Sequence, residues 1–418
     1  MAPAEHVSKE SGAVVGPTVV TARGSLPKRG DELEAVHTIP GGAVAWDEGL
    51  ITYVGPAEGL DRSDAREASG TCLVPGFIDC HTHLPFFGWR ADEFAARLQG
   101  RTYRDQHGEG GIYRSARMLS EASDKEVIAF CRPLLDEMLS HGTTAVEFKT
   151  GYGLSVEGEL RQARLARHLA SQAPQVCTVT LLACHAVPRG LDREAWVRRA
   201  CDELIPQAAS ESLVDAVDVY VEDIAFTLDD LRAVAEAARR TGLPVRVHAD
   251  QLGPSRAAEA AVDAGARSAD HLNHVSAEGV QRLGSSQTAA VLLPASTLML
   301  RASPPPVREL LNAGSAVAVA SDFNPGTSPV LSMPEVMAMA CAVYGFSPQA
   351  ALTAATANAA WVLGLSDLLG TLEPGKRADF ILLESDDPAM VPYRPGHDPV
   401  VATFVGGRNV WSRDAVGP

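Results

Sequence analysis

Two histidines separated by one residue follow an apolar run in the segment VPGFIDCHTHLPFFGWR, from Val74 to Arg90. In an extended chain, side chains two positions apart point to the same side, so His81 and His83 face one way and Thr82 faces the other. This spacing suits two ligands of a single metal ion. It also suits two ordinary polar residues at the end of a strand, and the pair alone leaves both interpretations open.

Other polar residues occupy the same kind of position, at or just after an apolar run: His185, His248, His271 and Asp322. Three neutral imidazoles and one carboxylate form a donor set that suits zinc, and also iron or manganese. We therefore predict that the metal ligands are His81, His83, His248 and Asp322. We expect them to hold one Zn²⁺ or Fe³⁺ ion per chain, with a water molecule completing the coordination.

Water bound to such an ion is acidified and becomes the natural nucleophile of a hydrolase. Asp322 is the predicted acceptor of its proton, and His271 is placed to hydrogen-bond the water or the developing oxyanion. A histidine at a strand end is also often a structural residue held by hydrogen bonds. For His271 this second interpretation stays open.

The elements that must position these residues are short apolar runs separated by alanine- and leucine-rich amphipathic stretches. The runs predict strands over 76–81, 143–149, 177–184, 216–222, 244–249, 267–272, 288–294 and 315–321. This α/β alternation indicates a (β/α)₈ TIM-like barrel, in which catalytic groups gather at the carboxyl ends of the strands. A doubly wound open sheet is the alternative, but no Gly-x-Gly-x-x-Gly turn follows the first strand.

Both ends of the chain contain short β-type runs broken by glycine, and neither end has enough apolar residues for a core of its own. We expect the two ends to pair into one small β-sandwich. The predicted domains are residues 1–75 and 371–418, forming the two parts of the sandwich, and residues 76–370, forming the catalytic barrel.

The composition excludes some classes of partner. A formal net charge of −16 over 418 residues argues against binding nucleic acid or an anionic membrane surface. A local arginine can still bind a small anionic substrate at contact distance. The seven cysteines are scattered, and neither a signal peptide nor a membrane-spanning apolar run is evident. These features predict a cytoplasmic protein.

Several motifs resemble those of the metal-dependent amidohydrolase superfamily, namely PGFIDCHTHL, VHADQ, SADHL, ASDFNPGTSP and EPGKRADFILLE. The stretches VEFKTGYGL, ACHAVP, LPVRVHADQL and SDFNPGTSP are similar to the imidazolonepropionase family within it. The resemblance extends from about Val19 to Val410, and KTGYGL and NPGTSP are its most particular elements.

The resemblance implies an enzyme of histidine degradation that hydrolyses 4-imidazolone-5-propanoate, a small anionic cyclic amide, to N-formimidoyl-L-glutamate. It implies the same four metal ligands and a homodimer. The positions that it implies for substrate binding are Arg90, Tyr103, Tyr152, His185, Gln251, Asn324, Gly326 and Thr327. We also count Gln251 among the catalytic candidates, together with Asp322 and His271.

Three loops depart from the family pattern, at residues 85–89, 108–116 and 273–274, and they leave the ring substrate open. One alternative is a sister amidohydrolase acting on a hydantoin or thio-substituted ring propionate, and another is a ring deaminase. Ring deaminases place a glutamate where Gln251 stands, and a glutamine amide does not titrate. Lys149 follows the second candidate strand rather than the fourth, so we interpret it as a structural or supporting residue and expect one metal ion.

Overall fold

The computed structural model describes residues 10–60, 65–68, 70–102, 104–105 and 110–413. In chain order the strands are β1 (Gly12–Val15), β2 (Thr18–Thr21), β3 (His37–Ile39), β4 (Gly42–Asp47), β5 (Leu50–Pro56), β6 (Ala65–Glu67), β7 (Cys72–Pro75), β8 (Phe77–Asp79), β9 (Thr143–Lys149), β10 (Val176–Cys184), β11 (Ala216–Val221), β12 (Val245–Ala249), β13 (Ser268–His271), β14 (Ala289–Leu292), β15 (Val317–Val319), β16 (Phe380–Leu383), β17 (Val400–Val405) and β18 (Arg408–Ser412).

The helices are α1 (Ala91–Leu98), α2 (Gly111–Glu121), α3 (Asp124–Ser140), α4 (Val156–Gln172), α5 (Arg193–Arg199), α6 (Ile205–Ser210), α7 (Leu228–Thr241), α8 (Ala257–Asp263), α9 (Ala277–Gly284), α10 (Pro294–Leu300), α11 (Val307–Asn312), α12 (Met333–Tyr344), α13 (Pro348–Ala354), α14 (Ala357–Leu363) and α15 (Met390–Tyr393). Two 3₁₀ turns lie at Gly30–Glu34 and Ala57–Gly59, and a π-helical turn at Ala200–Leu204 joins α5 to α6.

Strands β8 to β15 form one sheet in which each strand lies beside the next, and every pairing is parallel. Each of these strands coincides with one of the eight predicted runs to within three residues at either end. Strand β9 is buried along its whole length, as expected of a strand covered on both faces.

Side chains and loops join the two outer strands of this sheet, β8 and β15. Asp79 accepts hydrogen bonds from the backbone amide and the hydroxyl of Ser321. Just beyond, Thr82 and Phe323 form a parallel bridge, and the amide of His83 donates to the carbonyl of Phe323 at 2.8 Å. The sheet is therefore nearly closed, and the predicted barrel is confirmed.

The helices between the strands begin and end where the sequence provides caps. Ser155 accepts a hydrogen bond from the amide of Gly158 at the start of α4, and Thr227 forms a capping box with Asp230 at the start of α7. Helix α7 ends at Gly242, whose φ of 73° lies in the left-handed region. No helix in the described ranges is both long enough and apolar enough to cross a membrane.

The two ends of the chain share a sheet. Strands run in the order β18-β17-β16-β7-β2-β3, so β7 from the amino-terminal part pairs with β16 from the carboxy-terminal part. A second sheet, β5-β4-β1-β6, contributes Trp46, which packs against Phe380 with ring centroids 5.4 Å apart. The predicted association of the termini is thus observed, whereas the exact division at residues 75 and 370 stays a prediction.

Candidate active site

Strand β8 ends at Asp79, two residues before the histidine pair. The chain stays extended beyond it because it is held on both sides. The carbonyl of Thr82 accepts from the amide of Lys149 at 2.9 Å, while His83 bonds to Phe323 on the other side. His81 and His83 are both buried, and their ring centroids lie 5.3 Å apart. The two imidazoles therefore project from a fixed segment, as their spacing predicts.

The other predicted ligands meet this pair at the carboxyl ends of the strands. The rings of His81 and His248 are 4.5 Å apart, centroid to centroid. The Oδ1 atom of Asp322 lies 3.2 Å from Nε2 of His83 and 3.6 Å from Nε2 of His81. Donor atoms of His81, His248 and His271, and likewise of His81, His83 and Asp322, lie within 4.8 Å of one another. Residues from four distant segments thus converge.

The inner nitrogens of two histidines are held by carboxylates that our sequence analysis did not single out. Nδ1 of His81 lies 2.6 Å from Asp270 Oδ2, and Nδ1 of His248 lies 3.1 Å from Asp218 Oδ1. Nε2 of both histidines is buried without a hydrogen-bond partner among the described residues. A carboxylate behind the imidazole and a free nitrogen in front is the usual arrangement of a metal-ligating histidine. The residues present therefore fit a metal ion.

The electrostatics of the cluster favour the protonation states that bind metal. Burial lowers the pKa of His81 well below its ordinary value, and the charge of Lys149 lowers it further. Burial also lowers the pKa of His83 and brings that of His271 to about 3. Burial acts to raise the pKa of Asp322, but the hydrogen bond with His83 and the charges of the surrounding histidines together outweigh it, and the pKa falls. Neutral imidazoles and a carboxylate are the ligating forms.

Unusual backbone conformations occur at the same place. His271 has a φ of 79° and Asp322 a φ of 55°, in the left-handed region that residues with side chains rarely adopt. Asp250, two residues after His248, has a φ of 52°. Strain of this kind costs on the order of 1–3 kcal/mol per residue and tends to cluster at functional sites. It is consistent with a site that fixes its side chains.

A cavity of about 30 Å³ opens above the cluster and is lined by His83, Arg90, Ile112, Tyr152, His185, Tyr220, His248, Gln251, His271, Asp322, Asn324 and Thr327. Gly326 lies beside it, and Tyr103 lies outside the described residues. Tyr220 and Ile112 were not predicted. A larger cavity, about 930 Å³, lies elsewhere, between α12 and α15, and its walls are mostly apolar. We locate the chemistry in the small cavity because the titratable groups converge there.

Arg90 is buried at the edge of this cavity, and its Nη1 lies 3.1 Å from Glu93 Oε2. Its guanidinium packs directly on the backbone of Gly326, where a Cβ atom would collide with it. Arg97 donates to the carbonyl of Gly326 at 2.7 Å from the other side. The glycine in NPGTSP is therefore required for close packing against Arg90, and the motif does more than form a turn.

Asn324 organises the same loop from within. Its Oδ1 atom accepts from the amides of Gly326 and Thr327, at 2.9 and 2.7 Å, and from the hydroxyl of Thr327. Its Nδ2 atom donates to the carbonyl of Asp322 at 2.6 Å. The oxygen of this amide is fully engaged within the loop, which leaves one N–H free of these contacts for a ligand.

Gln251 also lines the cavity. Its position depends on a glutamate that sequence reasoning missed. Glu222 Oε1 accepts from the backbone amides of Gln251 and Leu252 at 2.6 and 2.8 Å. Burial raises the pKa of Glu222 to about 7. One sequence feature could have identified Glu222, Asp218 and Asp270: each is a charged residue inside or directly after a buried apolar strand. Such residues rarely stay buried unless they are paired.

The chain belongs to the amidohydrolase family, whose sequence model matches residues 72–410. The family is metal-dependent, in agreement with the cluster of histidines and carboxylates. Several solved structures share the fold. A guanine deaminase from E. coli is superimposed with a TM-score of 0.71 at 19% identity, covering 96% of this chain and 100% of the other. A triazine hydrolase variant gives a TM-score of 0.75 at 18% identity, covering 97% and 95%.

Within this family the chain is an imidazolonepropionase-type protein. It is 42% identical over 400 residues to the imidazolonepropionase of Rubrobacter xylanophilus, covering 93% of this chain and 95% of that one. It is 41% identical to the protein of the same name from Rhizorhabdus wittichii, covering 86% and 92%. The match to that of Geobacillus kaustophilus is 37%, covering 94% and 96%. The predicted class of enzyme, a hydrolase of carbon–nitrogen bonds in cyclic amides, is confirmed.

Proposed function

We propose that this protein hydrolyses the ring amide of 4-imidazolone-5-propanoate to give N-formimidoyl-L-glutamate. Water adds to the ring carbonyl carbon, the bond from that carbon to the ring nitrogen breaks, and the nitrogen leaves with a proton. The open-chain product carries a new carboxylate, formed from the ring carbonyl, and a formimidoyl group that contains the released nitrogen. The identity to imidazolonepropionases over most of the chain supports this substrate.

The metal ligands in this proposal are His81, His83, His248 and Asp322, and the ion is zinc or iron. When bound, the ion lowers the pKa of a water molecule and polarises the ring carbonyl. The assignment is supported by the unpartnered Nε2 atoms of His81 and His248, and by Asp322, whose Oδ1 lies within 3.6 Å of both His81 and His83. Four buried donors from strands β8, β12 and β15 and their extensions supply the set.

The proton of the attacking water passes to Asp322 in this mechanism. Asp322 is buried, its pKa is lowered, and it lies at the floor of the cavity, so it is an ionised base beside the reacting atoms. His271 is neutral because burial holds its pKa at about 3, and a neutral imidazole donates one N–H to the developing oxyanion. Asp322 then returns the proton to the departing ring nitrogen.

The substrate propionate pairs with Arg90. Gly326 in the NPGTSP loop has no side chain, so it leaves room for the guanidinium of Arg90. Tyr152, His185 and Gln251 line the same cavity and hydrogen-bond the flat polar ring in this proposal. A site that hydrogen-bonds every polar edge of its ligand discriminates strongly against analogues lacking those groups. Tyr103 is proposed as a further contact to the substrate.

The cavity above the histidine cluster is small, about 30 Å³, and its lining side chains are buried. Burial lowers the local dielectric constant, which strengthens the interaction of Arg90 with an anionic group.

The observation that carries the proposal is the convergence of the family-specific loop, Arg90 and the histidine cluster on one cavity. Incubation with 4-imidazolone-5-propanoate tests it, with loss of ring absorbance and formation of N-formimidoyl-glutamate as readouts. D322N should be inactive, and H37N, which changes an exposed histidine of strand β3, should match the wild type.

Hydantoin and thio-substituted ring propionates complete the panel. Faster turnover of one of these than of the imidazolone would identify a sister hydrolase instead. Release of ammonia without formimidoyl-glutamate would identify a deaminase and contradict the proposal. A homodimer, a cytoplasmic location and the absence of nucleic-acid binding stay predictions of the sequence.

A further inference from the structure

Lys149 is wholly buried at the end of β9, beneath the histidine cluster. Its Nζ atom lies 2.7 Å from Asp218 Oδ2, 3.0 Å from Glu147 Oε2 and 3.8 Å from Asp270 Oδ2. A buried ammonium is costly unless anions surround it, and here three carboxylates do so. Burial acts to lower the pKa of Lys149, but these carboxylates outweigh it and raise the pKa. The three carboxylates therefore compensate the charge of this buried ammonium.

Two of these three carboxylates are the ones that hold the proposed metal ligands. Asp218 uses Oδ2 for Lys149 and Oδ1 for Nδ1 of His248. Asp270 Oδ2 lies within reach of Lys149 and also holds Nδ1 of His81. One cation thus connects the supports of two ligands that come from strands β8 and β12.

Without this cation, the carboxylates would face one another in a site of low dielectric constant. Like charges that are buried together repel and rearrange unless a counter-charge lies between them. The other buried cation of the network, Arg246, lies 2.7 Å from Glu147 Oε1 and donates to the carbonyls of Cys80 and Val362. Among the described residues, Arg246 forms no hydrogen bond or ion pair with Asp218 or Asp270, so it does not replace Lys149.

We propose that Lys149 is a positioning residue for the metal centre, acting through Asp218 and Asp270 to orient His248 and His81. This inference rests on the proposed function in one respect only, the assignment of those two histidines as ligands. Partners behind a ligating histidine fix its tautomer and ring orientation, and their loss typically lowers metal affinity about 10–100-fold. Lys149 contacts the carboxylates and not the histidines themselves, but through them it acts on both His81 and His248.

The test compares K149M with R246M, a matched control that removes a buried cation from the same network. Each full-length protein is prepared without metal, melted, and titrated with Zn²⁺ against a chromophoric chelator. We expect K149M to raise the dissociation constant for Zn²⁺ about 10- to 100-fold. R246M should lower the melting temperature but leave the dissociation constant close to that of the wild type. Equal weakening by both variants, or none by K149M, overturns the proposal.

If the K149M protein does not fold, both substitutions are made in the D270N variant. There, the loss of a carboxylate offsets the loss of the cation. There K149M should still weaken Zn²⁺ binding more than R246M does, because Asp218 remains; equal effects overturn the proposal. The visible spectrum of the Co²⁺-loaded proteins adds a second readout, since it reports ligand geometry and not stability. We expect K149M to change this spectrum and R246M to preserve it.

The controls separate this inference from the proposed function. A wild-type protein that binds neither Zn²⁺ nor iron overturns both. A wild-type protein that binds Zn²⁺ as tightly as K149M overturns the role of Lys149 alone. A protein that binds Zn²⁺ and depends on Lys149, yet does not hydrolyse the imidazolone, overturns only the proposed substrate.

Discussion

His185 lies face to face with His83, with ring centroids 5.2 Å apart and an angle of 17° between the planes. Nδ1 of His185 lies 3.0 Å from the carbonyl of Gly151, so this nitrogen carries the hydrogen and donates it. Burial lowers the pKa of His185 well below its ordinary value, and the neighbouring histidines lower it further. The imidazole is therefore neutral, and its Nε2 atom can accept a hydrogen bond. We propose that it accepts one from an N–H of the substrate ring.

Gly151 sets the position of this ring, and G151A should displace it. The residue has a φ of 112°, and an added Cβ would lie 2.7 Å from Nδ1 of His185. We expect a loss of stability of about 1–3 kcal/mol from strain and collision together. We also expect a raised KM, because the acceptor nitrogen moves. G190A is the control, since Gly190 has a φ of 84° but nothing within 4 Å of its Cβ position. A G190A variant with the same kinetic defect would show that strain alone is responsible.

Gly326 should be required for substrate affinity more than for folding. Its φ is not positive, so alanine meets no backbone strain there, but the new Cβ would collide with the guanidinium of Arg90. Displacement of that group should raise KM for the propionate substrate about 5- to 150-fold, which corresponds to about 1–3 kcal/mol. G253A is the control, because its Cβ would sit 3.7 Å from Arg104 Nη2, an ordinary contact. Steady-state kinetics that show equal KM for G326A and wild type would contradict this account.

Removal of the metal should abolish hydrolysis and destabilise the fold. A ligand that binds only the folded state stabilises it by about 4 kcal/mol when present at 1,000 times its dissociation constant. We therefore expect chelation to lower the melting temperature, and addition of Zn²⁺ or Fe to restore both properties. D322N should show little response to added metal, whereas H37N should respond as the wild type does. Activity that survives complete chelation would argue against a metal-dependent reaction.

His141 gives the protein a pH-dependent contact outside the histidine cluster. Its Nδ1 atom lies 3.2 Å from Asp398 Oδ2 and joins the end of α3 to the segment before β17. Burial works against the charged imidazole, but Asp398 outweighs it, and Glu137 and Glu335 add to the effect, so the pKa rises above 6.5. A raised pKa in the folded state means that the stabilisation is complete below pH 6.5 and is lost as pH rises through the folded value.

H141Q should therefore be less stable than the wild type at pH 5.5 to 6, by up to about 1 kcal/mol for a partly exposed pair. Near pH 9 the two proteins should unfold at the same denaturant concentration. Chemical denaturation at both pH values measures the difference. A gap that is independent of pH would assign the loss to packing of the ring and not to its charge.

The success of the strand predictions has a physical basis. Strand β9 was predicted with the bounds that it has, because its β-branched and apolar residues lie between loop residues, although it also carries Glu147 and Lys149. Strand β8 was predicted to reach His81 but ends at Asp79. Asp79 bonds to Ser321 across the seam, and residues beyond it are held by the loops of neighbouring strands. No local pattern encodes such cross-strand contacts.

The histidines and Asp322 could be found from the sequence because their side chains follow apolar runs, and all such strand ends meet at one mouth of a barrel. Their supports could not be assigned in this way. In the sequence, nothing marks Asp218, Asp270 and Glu147 beyond their charge within apolar strands. Asn324 was predicted to contact the substrate, but its side-chain oxygen is used within its own loop. Which carboxylate faces which histidine depends on strand register and tilt.

The sequence by itself determined the barrel, the association of the two termini and the kinds of side chain at the site, since these follow from apolar periodicity and from residue type at strand ends. Only the tertiary structure decided that Lys149 lies between Asp218 and Asp270, that Gly326 packs on Arg90, and that His185 donates through Nδ1. Those relations join residues far apart in the chain. Their distances are fixed by the packing of the whole sheet, and ionic and hydrogen-bond energies change over fractions of an ångström.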